Sequence, residues 1–162
     1  MIVRAATEAD ADGMVHLLNA IIEKGGTTAH QTLFDADRMR GHYIAPAENI
    51  CCHVAVTGAE VLGFQSLIWP DPAPPMPQGW ALIASFVSAS AAGQGVGRAL
   101  LQATTSAARD AGVTTIDATI RADNASGLGY YSAMGFVDYA FRKGVPLSDG
   151  TPVDRIRKRL DL

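Results

Sequence analysis

The chain has 162 residues, 48% of them hydrophobic and 18% charged, with a formal net charge of −3 at pH 7. That length and mixture point to a single globular domain spanning residues 1–162 and exclude a disordered chain, while the mild acidity argues against nucleic acid as a partner, which needs a basic face. No charged-then-apolar leader precedes Ile2, and no apolar run reaches the ~18 residues of a membrane span, so a cytoplasmic protein without a membrane partner is expected.

Ile2–Ala5 reads as a short strand. Thr7-Glu8-Ala9-Asp10 then has the form of a capping box with Asp in the place of Glu. Met14, Leu17, Leu18, Ile21 and Ile22 recur at helical spacing, which predicts a helix as far as Lys24, stopped by Gly25-Gly26. A polar loop holding His30 follows, and then a shorter helix from Asp35 to Tyr43. Ile50–Thr57 and Val61–Trp69 are rich in β-formers, and the short link Gly58-Ala59-Glu60 makes them a hairpin. Cys51 and Cys52 are strand neighbours that point to opposite faces, which argues against a disulfide between them and for a reducing compartment.

The segment 70–77 carries five prolines in eight residues and reads as a surface loop. Trp80–Val87 is a further strand, followed by Ala92-Gly93-Gln94-Gly95-Val96-Gly97-Arg98-Ala99 and a helix from Gly95 to Ala111. The inner stripe of that helix is read as Val96, Leu100, Ala103 and Ala107, with Gly112 after its end. Val113–Ile120 is a strand, Asn124 to Met134 a helix, Gly135–Arg142 a strand and Val153–Leu160 the last strand. Arg155, Arg157 and Arg159 alternate along that last strand and read as the exposed face of a sheet edge. The order of elements predicts an α/β (α+β) fold with a mixed, mostly antiparallel sheet.

Gly93, Gly95 and Gly97 leave the backbone open to a ligand, and the helix after them starts with unpaired N–H groups at the positive end of its dipole. Such a turn suits a phosphate or pyrophosphate. A nucleotide P-loop would need Lys-Ser/Thr where Arg98-Ala99 stands. A dinucleotide fingerprint would need glycine at Leu100, although Asp117 falls about 20 residues on, where a ribose-binding acid would sit. A second segment, Asn124-Ala125-Ser126-Gly127-Leu128-Gly129-Tyr130-Tyr131-Ser132-Ala133-Met134-Gly135-Phe136, opens with a helix-capping Asn and places Tyr131 nearly two turns further on.

Together the two segments resemble those of the GNAT superfamily of acetyl-CoA-dependent N-acetyltransferases. The layout is most similar to the branch acting on phosphinothricin or methionine sulfoximine. The resemblance implies a twisted sheet flanked by helices, with acetyl-CoA where two parallel strands, Trp80–Val87 and Val113–Ile120, splay apart. It implies that the amides of Gly93, Gln94, Gly95, Val96, Gly97 and Arg98 hold the pyrophosphate. The backbone of Phe86 and Val87 would pair with the pantetheine arm, and Asn124 would touch that arm. Tyr131 would stand beside the sulfur as general acid, a role that a phenol fills at neutral pH without tuning. Tyr130 falls on an apolar position of the family pattern. Ala92 departs from the pattern, which has Arg or Gln there.

The base is not legible. Leu82 stands where many relatives carry an acid; His30 and His53 are candidates, Ser85 can at most orient a water, and a water relay is the preferred reading. The acceptor, a small primary amine such as an amino-acid analogue, is expected between Gly25–His30, Phe64-Gln65-Ser66, Trp69 and Trp80. Arg121 is a candidate partner for a carboxylate. No metal site is read, and the last two strands suggest a homodimer. Two other readings stay open: an acyl-CoA-binding or sensor module without catalysis, and a dinucleotide-binding fold.

Overall fold

The computed structural model describes residues 1–70 and 75–162, so residues 71–74 of the proline-rich loop lie outside the described residues. The strands are β1 (Ile2–Ala5), β2 (Asn49–Thr57), β3 (Glu60–Ile68), β4 (Trp80–Val87), β5 (Thr115–Arg121), β6 (Val137–Pro146) and β7 (Pro152–Asp161). The helices are α1 (Ala11–Lys24), α2 (Ala36–Met39), α3 (Val96–Asp110) and α4 (Ala125–Ala133). The strands form one sheet in the order β1-β2-β3-β4-β5-β7-β6, antiparallel throughout except for the parallel pair β4–β5. This is the mixed sheet expected, with α1 and α2 on one face and α3 and α4 on the other.

The turn from β1 into α1 is held by one carboxylate. The Thr7 amide donates to Asp10 Oδ2 at 2.7 Å, and Arg4 donates to both oxygens of Asp10 at 2.8 Å. Those bonds hold the Asp10 carboxyl down at about 2. α1 then buries Met14, Leu17, Leu18 and Ile22 at helical spacing and ends at Gly25 with φ 72°.

α3 docks over Gly63 of β3, where a Cβ would meet the Phe86 carbonyl oxygen at 2.9 Å, Val96 at 3.0 Å and Leu100 at 3.2 Å. That close approach turns Val96, Leu100, Leu101, Thr104 and Ala108 inward, so Ala103 and Ala107, expected inside, are only half-buried. α2 is shorter than expected and continues as a wider π turn over Arg40–Ile44. Cys51 and Cys52 pack into opposite layers with free thiols, and burial pushes them up to about 11 and about 12.

The last strand corrects the sequence reading. β7 is not an edge: it lies between β5 and β6. Its arginines are therefore covered rather than displayed. Arg157 pairs with Asp117 at 3.1 Å, Arg159 lies over the Trp80 ring at 4.7 Å, and Arg155 is buried.

Candidate active site

β4 and β5 pair only through Trp80–Thr115, Ala81–Ile116 and Leu82–Asp117. Beyond that point β4 stays with β3 and β5 stays with β7, so the two strands part. The bond from the Ser88 amide to Leu62 O, at 2.9 Å, fixes the phase of the β3–β4 ladder. In that phase Phe86 turns its amide and carbonyl toward β3, while Ile83, Ser85 and Val87 turn theirs toward the gap. The gap runs through the sheet as a cavity of about 240 Å³. Ser85, Tyr130 and Tyr131 line it from the α3–α4 layer; His30, Tyr43 and Arg155 line it from the other.

The glycine turn lies at the start of α3. Gly93 and Gly95 have φ of 75° and 81°, and a Cβ at either would meet no atom within 4 Å. The left-handed backbone and the open space beside it are what close approach of a ligand requires. The Ala99 amide bonds back to Gly95 O at 3.0 Å. The amides of Val96, Gly97 and Arg98 precede it, in the turn that a helix leaves without internal partners. Gln94 folds its side chain back, Nε2 donating to Ser90 O at 2.8 Å. Gly97 serves a different purpose, since a Cβ there would stand 2.6 Å from the ring of Tyr130.

The adjacent tyrosines of α4 have unlike hydroxyls. Tyr130 donates its one proton to Gly97 O at 2.8 Å and accepts from Gln65 Nε2 at 3.2 Å. The Tyr131 hydroxyl lies 2.8 Å from Ser85 Oγ, and Ser85 Oγ accepts from Gln65 Nε2 at 2.8 Å. Burial holds the Tyr131 phenol well above its ordinary value, so it is protonated at neutral pH. Its ring is fixed edge-on between Tyr130 and Phe136, with centroids 4.9 and 5.0 Å away.

Residues 13–136 match the sequence model of the acetyltransferase (GNAT) family. The chain belongs to the GNAT family of acetyltransferases. No curated protein matches it in sequence. The fold is shared with a ribosomal-protein-alanine N-acetyltransferase from Brucella melitensis, at TM-score 0.80 and 24% identity over 100% of both chains. It is also shared with a phosphinothricin acetyltransferase from Sinorhizobium meliloti in complex with acetyl-CoA, at TM-score 0.82 and 19% identity over 99% of this chain and 88% of that one. Acetyl-CoA is the acetyl donor of the GNAT family, and the residues present fit it: an open glycine turn at a helix start suits the diphosphate, and a strand edge with free amides suits the amide-bearing arm.

On the side of this GNAT site that faces α1, His30 Nε2 lies 2.6 Å from the Tyr43 hydroxyl. Burial, then His42 and Arg38, lowers the His30 imidazole to about 4, so it is neutral at physiological pH. Asn124 lines the cavity while capping α4: its Oδ1 accepts from the Gly127 amide at 2.9 Å, and its Nδ2 donates to Thr27 O at 3.1 Å. Arg121 also lines the cavity, but its guanidinium is already taken by Asp123, at 2.8 and 2.9 Å, and by Thr28 O at 3.1 Å.

Several residues read into the site lie elsewhere. Trp69 and Trp80 do not line the gap; Trp80 packs against Tyr139, centroids 5.3 Å apart. Phe64 is core, stacked on Phe86 at 5.0 Å, and Gln65 serves the tyrosines rather than an acceptor. His53 does not line the cavity, and its Nδ1 is buried without a partner. Asp117 is no ribose ligand: it is buried among Tyr139, Thr119 and Arg157. Sequence reading missed the Gln65–Ser85 contact, although the strand register that makes it was within reach: a buried Gln facing a Ser on neighbouring strands is a polar pair waiting for a third member. In the sequence Arg155 stands out only as part of a basic strand.

Proposed function

We propose that this GNAT protein, with residues 1–162 as its catalytic unit, transfers the acetyl group of acetyl-CoA directly to the primary amine of a small acceptor. The observation that carries the reading is the unequal pair of hydroxyls. Tyr130 has its proton committed to Gly97 O, whereas Tyr131 stands at the strand gap with a hydroxyl partner that can give as well as take. Acetyl-CoA supplies an acetyl thioester, whose C–S bond breaks as the C–N bond to the amine forms. The chain has three tasks in that step.

The turn Gly93–Arg98 anchors the diphosphate with backbone amides, that of Gln94 excepted because it already donates to Ala91 O at 3.3 Å, and the free edge of β4 aligns the arm. Support for this comes from the left-handed glycines and the separation of β4 from β5. An amide on that edge, at Val87, is directed toward the gap and suits a developing oxyanion. Tyr131 then gives its proton to the departing sulfur. The Ser85 hydroxyl rotates to donate to the phenolate left behind, and Gln65 holds Ser85 in place by donating to its oxygen.

The amine must arrive neutral or lose its proton on the way. His30 is a neutral imidazole facing the gap beside Tyr43, which supports a relay through these groups and water to solvent. The buried thiols of Cys51 and Cys52 are pushed up and do not serve as nucleophiles. The exposed side of edge strand β6, with Val137 60% and Phe141 54% accessible, supports the companion reading of a homodimer, which sedimentation at low micromolar concentration tests.

Mixing the protein, acetyl-CoA and a panel of primary amines, with free thiol as readout, tests the proposal. Thiol release that depends on the amine and collapses in Tyr131→Phe is the expected result. Tight coenzyme A binding with no release across the panel would identify a binding module instead.

A further inference from the structure

Among the described residues Arg155 makes no ion pair, and the acid whose charge reaches it, Asp123, is bound to Arg121. Arg155 is 7% exposed, lines the strand gap, and its Nη1 is buried without a hydrogen-bond partner. Its neighbour across the β5–β7 ladder is Arg121, a like charge on the same face. The acids around it are occupied: Asp123 holds Arg121 through two bonds, and Asp154 accepts from the Gly144 amide at 2.8 Å. Among the described residues lining the cavity there is no Asp or Glu, while Arg121, Arg155 and the neutral His30 face it together. A buried guanidinium left without an anion is costly in a folded protein and is kept where an anion arrives from outside.

We propose that Arg155 is the anion-binding residue of the acceptor site, and that the acceptor is a small amine carrying a carboxylate or an equivalent oxyanion. This rests on the acetyl-transfer reading. It moves the role expected of Arg121 to its neighbour, because the donors of Arg121 are spent inside the protein whereas Nη1 of Arg155 is not. A planar fork of N–H groups suits two carboxylate oxygens, and the low dielectric of the gap strengthens the pair. Arg155 and Tyr131 line one cavity from opposite faces of the sheet. A small amino acid anchored on Arg155 thus presents its amine toward the gap between the strands, where the thioester is expected. Burial and the adjacent Arg121 push the Arg155 guanidinium below its ordinary value, but it stays a cation at any physiological pH.

The test compares matched amines on the wild type, Arg155→Met and Arg155→Lys: methionine with 3-methylthiopropylamine, phenylalanine with phenethylamine, and the aminophosphonate analogue of each amino acid. Expected is a preference of the wild type for a charged member of at least one pair. Arg155→Met should cut kcat/KM for that member roughly ten- to a hundredfold, mainly through KM, as for a lost hydrogen bond to a charged group. It should leave the uncharged amine unchanged, and Arg155→Lys should restore part of the loss. Carboxylate and phosphonate arms tell which oxyanion is bound. A melting temperature of Arg155→Met equal to or above that of the wild type is also expected, since no internal partner is abandoned. A wild-type preference for the uncharged amines, or an equal loss for both members of each pair with a lowered melting temperature, overturns the proposal.

If no amine releases thiol, the transfer reading fails, and the anion site is judged by calorimetry alone. In that case the protein loaded with coenzyme A should bind butyrate in preference to butyramide, and Arg155→Met should abolish the preference. Equal binding of the two probes by the wild type would overturn the site.

Discussion

The Tyr130 hydroxyl donates to the carbonyl oxygen of Gly97 at 2.8 Å, and a Cβ at residue 97 would stand 2.6 Å from the same ring. The first turn of α3 and the middle of α4 are thereby keyed to one another, and the residue after the key is Tyr131. Two of the three alternating glycines, Gly93 and Gly95, are needed for their left-handed backbone. The third is needed for its missing side chain. A turn built to receive a ligand and a helix that carries the candidate acid are in this way held at a set distance by packing rather than by the ligand.

Gly97→Ala should therefore act through Tyr130. Forcing a methyl against the ring costs about 1–3 kcal/mol, as overpacking does in other cores. Chemical denaturation of Gly97→Ala, of Tyr130→Leu and of the double variant measures it. The expected outcome is that the double variant loses much less than the sum of the two, because shrinking the ring frees the space that the methyl takes. Strict additivity would mean that the helices are not keyed here.

The tyrosines should separate in kinetics. Tyr131→Phe is expected to lower kcat about a hundredfold or more while leaving the KM for acetyl-CoA nearly unchanged, as for loss of a general acid. Tyr130→Phe keeps the ring and loses the bond to Gly97 O and the longer one from Gln65 Nε2, which still donates to Ser85, so kcat should stay within about threefold of the wild type at a stability cost of about 1 kcal/mol. Ser85→Ala removes the group that supports the phenolate, and it should fall between the two. Steady-state rates and melting curves on the three variants check the ranking; Tyr130→Phe more damaging to kcat than Tyr131→Phe would reverse the assignment.

Much of the strand pattern was legible because β-rich runs and glycine stops are local signals; β4 was read from Trp80 to Val87 as it stands. What was not legible depends on strands distant in sequence. Alternation along β7 tells that Arg155, Arg157 and Arg159 share a face, not that β7 is inserted between β5 and β6, which buries that face. The same insertion turns Asp117 from a candidate ribose ligand into the partner of Arg157. In α3 the stripe was misphased because Ala and Thr carry little hydrophobic signal, and the contact at Gly63 decided the rotation. The glycine turn and the Asn124–Phe136 segment were legible because their spacing is itself chemical. The polar wiring behind them, Gln65 to Ser85 to Tyr131, needed the register of three separate elements.

Acid should weaken the fold through His30. Its imidazole titrates near the ordinary 6.5 in the unfolded chain and at about 4 in the folded one, where burial comes first and His42 and Arg38 add to it. Between those values the unfolded chain binds more protons, so stability rises with pH across the window and is lost as pH falls from 6.5 toward 4. His42 and His53 are lowered in the same direction and add to the slope. Urea midpoints measured at intervals across that window should fall more gently in His30→Gln than in the wild type. Identical slopes would show that His30 is protonated in the folded protein.

The Asp117–Arg157 pair should be the costliest electrostatic contact to break. Asp117 is 1% exposed, accepts from Arg157 Nε at 3.1 Å and from Thr119 at 2.9 Å, and is also met by the Tyr139 hydroxyl. Removing the carboxylate abandons a largely covered guanidinium along with two hydroxyl donors, so Asp117→Ala is expected to cost about 3–5 kcal/mol. Asp117→Asn keeps an acceptor for the hydroxyls and should cost less. Arg157→Met alone leaves Asp117 buried with only hydroxyl partners and should cost a comparable amount, whereas Asp117→Leu/Arg157→Met removes both charges and should recover a large part of either loss. Equilibrium unfolding of the wild type, Asp117→Leu, Arg157→Met and the double variant closes the cycle. Coupling below about 0.5 kcal/mol, the scatter between independent sites, would mean that the two charges are each held by other groups. The sheet would then owe the insertion of β7 to its backbone ladder and apolar face alone.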